Sequence, residues 1–176
     1  MITLSPPLIE CCRAFAIALC DCYANGRSTE LAYRGVERDV PLQTRAKMAE
    51  CIFALELGFD PDDVINWDLT GPDNGADVTL DGRRYDVKAC GPGASYLLWP
   101  RTKNHLFAEK QFDAMVLIRV HYPACGQISG WVTKTGFARL HQVADAGHRL
   151  DPGTWYMPQC DLAHVETLHR EHRRPA

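Results

Sequence analysis

The sequence predicts an α/β fold organised around a mixed sheet, and three observations predict it. Residues 44–58 carry apolar side chains at helical spacing, with Ala46, Ala49, Ile52, Phe53 and Leu57 on one stripe. Residues 76–90 read as two β-prone runs joined by Asp81-Gly82, a strong short-range hairpin signal. Residues 114–120 (AMVLIRV) form a continuous apolar run of strand length. Helices and strands in this order bury their apolar faces against one another as an α/β core.

Taken in chain order, Pro6-Pro7 opens a helix over residues 8–24, closed by Asn25-Gly26. Residues 27–39 are polar and without a period, and read as loop. Thr44 is placed to cap the second helix and Gly58 to end it. A short apolar run over residues 64–69 leads into the turn-forming residues 70–75. Strands over residues 76–80 and 83–90 follow, and Gly91-Pro92-Gly93 breaks the second. A helix is expected over residues 104–111, then the strand over 114–120. Beyond Pro123 come a strand over 131–133, a helix over 137–143, a strand at 155–156, a helix over 161–169 and an Arg/His-rich tail. No repeat, low-complexity segment or long linker divides the chain. We read one domain over residues 1–176, with its core at about 43–121, a helical extension at 1–40 and an α+β extension at 122–176.

Composition bounds the function. At 176 residues, 46% hydrophobic and 23% charged, the chain is neither disordered nor fibrous. No apolar run nears the ~20 residues that cross a bilayer. The run over residues 14–20 follows Glu10 without a basic leader, so a soluble, cytoplasmic protein with no membrane partner is expected. A net charge of −3 argues against a basic nucleic-acid coat protein. Charge is unevenly shared, however: residues 83–110 hold six cations against two acids. Eight cysteines in a chain of this size read as reduced thiols. Cys11, Cys12, Cys20 and Cys22 crowd together without a CxxC pair, and read as buried helix residues more readily than as a zinc site.

The hairpin carries the chemistry. If Asp81-Gly82 are its two loop residues, Leu80 faces Arg83, Thr79 faces Arg84, Val78 faces Tyr85 and Asp77 faces Asp86. Alternation then puts Val78, Leu80, Tyr85 and Val87 on one face, and Asp77, Thr79, Arg84, Asp86 and Lys88 on the other. Like charges directly opposite on a sheet destabilise it. A cation between two carboxylates relieves this, and such oxygens are what Mg²⁺ prefers. A wet face balanced by Arg84 and Lys88 is the plainer alternative.

Asp77 in GAD, Asp86 and Lys88 in DVK, and Glu50 in the helix KMAECIFALELG together resemble the PD-(D/E)XK nuclease superfamily. The element order from about residue 43 to 121 is similar to that family's αβββαβ core, although Ala76 stands where the name-giving Pro would be. The resemblance implies a restriction-endonuclease-like fold and a metal-dependent nuclease, with DNA favoured as substrate and endonucleolytic cutting favoured. It implies Glu50, Asp77, Asp86 and Lys88 as catalytic residues. Asp77, Asp86, the backbone carbonyl of Val87 and Glu50 would hold Mg²⁺, with Mn²⁺ as substitute, and Lys88 would orient the attacking water. Arg84, Ser95, Tyr96, Arg101, Lys103 and His105 are candidate nucleic-acid contacts, and Gln111 matches a glutamine some relatives carry. The resemblance leaves a homodimer open.

Two other classes stay in view: a catalytically silent nucleic-acid- or partner-binding subunit on the same fold, and a thiol or zinc protein using Cys11, Cys12, Cys20 and Cys22. Serine-hydrolase, P-loop and Rossmann motifs are absent from the sequence.

Overall fold

The structure, a computed structural model, describes residues 1–24, 39–69, 76–121 and 124–172. The loop expected over 27–39 (apart from Asp39), the turn at 70–75 and the end of the basic tail lie outside the described residues.

The architecture is mixed α/β. A five-stranded sheet has the order β1-β6-β5-β3-β2, from Ile2–Thr3, Cys125–Thr133, Ala114–His121, Arg83–Cys90 and Val78–Leu80. Strand β3 runs parallel to β5, and the other neighbours are antiparallel. Three further strands, β4 (Tyr96–Trp99), β7 (Gln142–Val143) and β8 (Trp155–Pro158), form a second sheet in the order β4-β8-β7.

Helix α1 spans Pro6–Ala24, as expected, and packs on α2, Val40–Glu56. Helix α2 begins a turn earlier than expected. Asp39 caps it by accepting the Leu42 N–H, while the Thr44 hydroxyl bonds back to the Val40 carbonyl inside the helix. Thr44 lost the role because the helix already had an N-cap and a proline in its first turn. Gly58 ends it at φ +82°, where a side chain would be strained.

Two apolar clusters sandwich the main sheet. Ala49, Ile52 and Phe53 of α2 meet Val78, Leu80, Tyr85, Val87, Val116 and Ile118 on one side. Met115 and Leu117 face the other, with Leu97, Trp99, Phe107, Phe112, Phe137 and Met157. Burial on both faces is why β5 reads as an unbroken apolar run.

Several expected elements change. The apolar run at 64–69 forms no strand: it starts at the end of a single helical turn, α3 (Pro61–Val64), and pairs only through an isolated bridge from Ile65 to Val78. The helix expected at 104–111 is a 3-10 helix, Arg101–Leu106, followed by a turn. Strand β4, in a segment read as a break between the strand at 83–90 and the next helix, pairs with β8 in the second sheet. Strand β6 is longer than its expected piece and lies inside the main sheet. Helix α4 is Lys134–Leu140, so Gln142-Val143 are strand instead of helix. Helix α5 starts at Val165, not 161. These errors share a cause: short segments with weak periodicity take their structure from what they pack against.

Helix α5 fixes the hairpin that carries the candidate site. Its C-cap His172 lies between the Tyr85 hydroxyl, 2.6 Å from Nε2, and the Asp81 carboxylate, 3.2 Å from Nδ1. Arg83 pairs with Glu171 beside it. Burial is the chief reason the Tyr85 phenol is pushed up to about 12, so it stays protonated.

Gly126 of β6 leaves no room for a side chain beneath α2: a β-carbon there would lie 2.6 Å from the Arg119 carbonyl oxygen and 2.8 Å from Ile52 Cδ1. Gly126→Ala is expected to destabilise the fold by about 1–3 kcal/mol, the range for overpacking a tight core. Urea unfolding checks this, and an unchanged midpoint would show that the contact relaxes freely.

Candidate metal and catalytic site

The hairpin forms in the register read from its turn. Val78 pairs with Tyr85, Thr79 with Arg84 and Leu80 with Arg83, and Asp81 takes a positive φ of 49° ahead of Gly82 at 79°. Ladder pairing stops at Val78, and Asp77 lies one step beyond, beside Asp86 and Val87. The Asp77 N–H donates to the Tyr85 carbonyl at 2.9 Å, and its carboxylate accepts the Val87 N–H at 2.7 Å. The Asp77 side chain thus supplies the acceptor that a longer β2 would have supplied from its backbone.

Asp86 is 3% exposed. The alternative of a wholly wet polar face therefore fails at Asp86, although Arg84 and Lys88 on that face stay partly exposed. Lys88 Nζ lies 2.8 Å from Asp86 Oδ1 and 2.6 Å from Oδ2, with the ammonium 5.5 Å from the centre of the Trp99 ring. Despite that proximity, Oδ2 is buried without a hydrogen bond of good geometry. The two acids do not face each other bare: one turns to the Val87 N–H and the other to Lys88.

Glu50 approaches from α2. It is buried instead of sitting at the edge of the helix stripe, and it pairs with Lys47 at 2.6 Å. Lys47 also donates to the Asn66 carbonyl at 2.9 Å, and the Asn66 N–H donates to the Asp77 carbonyl at 3.2 Å. Burial holds the Glu50 carboxyl well above its ordinary value; the Lys47 ammonium pulls it back and the Asp77 charge pushes it further up. Glu50 and Asp77 are therefore within electrostatic reach of each other. Among the described residues, no three His, Cys, Asp or Glu side chains converge as a ready-made metal cage.

The candidate substrate contacts disperse. Arg84 shares the hairpin face, but its Nη1 donates to Gln111 at 2.9 Å and its Nε lies 3.6 Å from Asp113. Gln111 therefore orients Arg84 from a loop and not from a helix. Ser95 and Tyr96 line a separate cleft of about 650 Å³ with Ser129, Gln159, Cys160 and His164. Arg101 reaches the Pro152 carbonyl, and Lys103 accepts the Trp99 indole N–H on its backbone oxygen at 3.0 Å. His105 is exposed on the same 3-10 helix, and Trp99 is a core residue at 1% exposure.

Sequence reasoning missed Lys47, Asn66, Asp113 and the contact of Trp99 with Lys88. The i,i+3 spacing of Lys47 and Glu50 was the one legible signal; the others depend on segments brought together by the fold. The four clustered cysteines do not form a metal site either. Cys11 is exposed, Cys12 and Cys20 are buried, Cys22 is half-buried, and none of the eight cysteines is in a disulfide. Among the described residues, no helix is long and apolar enough to cross a membrane. No protein-family model, no curated protein and no solved structure matches the chain.

Proposed function

We propose that the chain is a metal-dependent phosphodiesterase of the PD-(D/E)XK type that hydrolyses nucleic acid, DNA being the favoured substrate. The observations that support this reading are the Asp77 carboxylate on the Val87 N–H, one residue from Asp86, and the Lys88 ammonium on the Asp86 carboxylate. The buried Glu50, raised by burial and further by the Asp77 charge, adds a third acid within electrostatic reach of Asp77.

The donors suit a hard cation. Mg²⁺ is commonly held by one or two carboxylates and several waters, so a three-residue cage is not required. Asp86 is buried with its Oδ2 2.6 Å from the Lys88 ammonium, so an ion there would share that carboxylate with Lys88. Asp77, Asp86 and the Val87 carbonyl would hold the ion, with Glu50 in support. When bound, a divalent ion supplies Lewis-acid stabilisation of the phosphoryl oxygens and lowers the pKa of a bound water. Lys88, lying over the Asp86 carboxylate, is placed to position the attacking water and to neutralise charge that builds on the phosphate. Arg84, held by Gln111 and Asp113, is the candidate phosphate contact nearest this chemistry.

A second reading rests on a specific observation. Asp77 and Asp86 already have protein partners, which a catalytically silent nucleic-acid- or partner-binding subunit would need in place of a metal. Calorimetric titration with Mn²⁺ and incubation with double-stranded, single-stranded and branched DNA and with RNA separate the two. The proposal expects one saturable metal site and metal-dependent cleavage. A protein that binds no Mn²⁺ and leaves every substrate intact has the silent role.

A further inference from the structure

The cysteines the candidate site leaves unused include one close pair. Cys12 on α1 and Cys51 on α2 are separated by 39 positions in the chain, yet their sulfurs lie 3.6 Å apart. Both thiols are free and both residues are fully buried. The neighbouring positions Cys11, Cys20 and Cys22, which made the cysteine cluster conspicuous in the sequence, do not share this contact.

We propose that Cys12 and Cys51 are a two-electron oxidation site, closing to a disulfide between α1 and α2 when the protein meets a hydroperoxide. A disulfide needs sulfurs about 2.05 Å apart, so closure asks for an approach of roughly 1.5 Å, within the reach of side-chain rotation and a small helix shift. The two sulfurs share one hydrogen bond in which either can be the donor, so either cysteine can attack and its neighbour resolve.

The steps balance. The thiolate of one cysteine attacks the terminal peroxide oxygen; the S–O bond forms, the O–O bond breaks, and the departing oxygen takes up a proton to leave as water or an alcohol. The sulfur of the other then attacks that sulfenic acid; the S–S bond forms, the S–O bond breaks, and hydroxide leaves as water with the second thiol's proton. Two thiols lose two electrons and the peroxide gains them. The peroxide reaches the pair when α1, the outer of the two packed helices, opens locally at less than the cost of global unfolding. Contact between the thiols then favours the intramolecular bond over adducts with outside thiols. Since Cys51 follows Glu50 in α2, the cross-link ties α1 to the helix that carries the buried acid. The inference does not rest on the phosphodiesterase reading.

The test uses the full-length, fully reduced protein treated with hydrogen peroxide and then alkylated under denaturing conditions. The expected intact mass shows loss of two hydrogens. Non-reducing peptide mapping is expected to join the Cys12 and Cys51 peptides, and both are expected to escape alkylation until a reductant is added. Cys51→Ser is expected to lose the linked species and stop at an oxygen adduct on Cys12; the wild-type peptide map decides the matter should that variant not fold. The inference is overturned if Cys12 and Cys51 remain fully alkylated after the exposed Cys11 and Cys160 have reacted, or if the disulfide joins any other pair.

Discussion

Lys88→Met is expected to suppress metal-dependent cleavage on the order of 10²–10³-fold or more, the range for loss of one preorganised charge-stabilising group. It is also expected to destabilise the protein, because Asp86 is 3% exposed and Lys88 supplies the positive charge within 3 Å of both its carboxylate oxygens. A buried carboxylate left without a partner is costly, on the order of 3 kcal/mol or less here, since the lysine side chain is itself 31% exposed and partly screened. The discriminating measurement is the thermal midpoint with and without millimolar Mn²⁺. A cation entering beside Asp86 replaces the lost ammonium, so Mn²⁺ should restore the midpoint of the variant and shift the wild type less. A structural salt bridge predicts the same destabilisation without rescue. Failure of Mn²⁺ to rescue, together with unaltered nucleic-acid binding, would remove the metal from the site. Asp86→Asn, which keeps the shape of the side chain, should lose both cleavage and Mn²⁺ binding while remaining folded.

Lys47→Met should produce the largest stability change of any single substitution in this region, about 3–5 kcal/mol at neutral pH, because it strands a buried Glu50. It also removes a bond to the Asn66 carbonyl and an ammonium 4.2 Å from the Phe15 ring centre. The effect should depend on pH in a definite sense. Burial raises Glu50 above its ordinary value, opposed by Lys47 and reinforced by the charges of Asp77 and Cys12. A carboxyl raised in the folded state holds its proton more tightly there than in the unfolded chain. Its contribution to stability is therefore greatest below the unfolded value, near 4.3, and is lost as pH climbs through the folded value. Without Lys47 the folded value rises further. The gap between variant and wild type should widen in denaturant titrations as pH rises above the unfolded carboxyl value. A gap that stays constant, or narrows, would mean that Lys47 does not stabilise the Glu50 carboxylate.

These two experiments probe residues of different legibility. Asp77, Asp86 and Lys88 could be placed from the sequence because a two-residue turn locks register, and register with period two assigns every side chain to a face. The hairpin behaves accordingly, from Leu80 opposite Arg83 back to Val78 opposite Tyr85. Helix α2 was legible for a related reason: its apolar stripe extends over several turns, so local errors average out. The 3-10 helix Arg101–Leu106 and strand β4 were not, because their backbone state depends on partners far along the chain, Trp155–Pro158 in the case of β4.

The partners of the acids lay equally beyond the sequence. Nothing local requires the Asp77 carboxylate to take the Val87 N–H, Trp99 to lie beneath Lys88, or Asn66 to connect Lys47 with Asp77. The Cys12–Cys51 contact is similar: the conspicuous local cluster on α1 dissolves, and one of its members finds a thiol on another helix.

The sequence by itself determined the α/β class and the position and register of the hairpin from Val78 to Tyr85. It could do so because turn chemistry and side-chain periodicity act between residues a few positions apart. Only the tertiary structure decided that Asp86 is buried and that Glu50 is held by Lys47. Burial and electrostatics depend on the surfaces that pack around a residue, and those surfaces come from segments dozens of positions away.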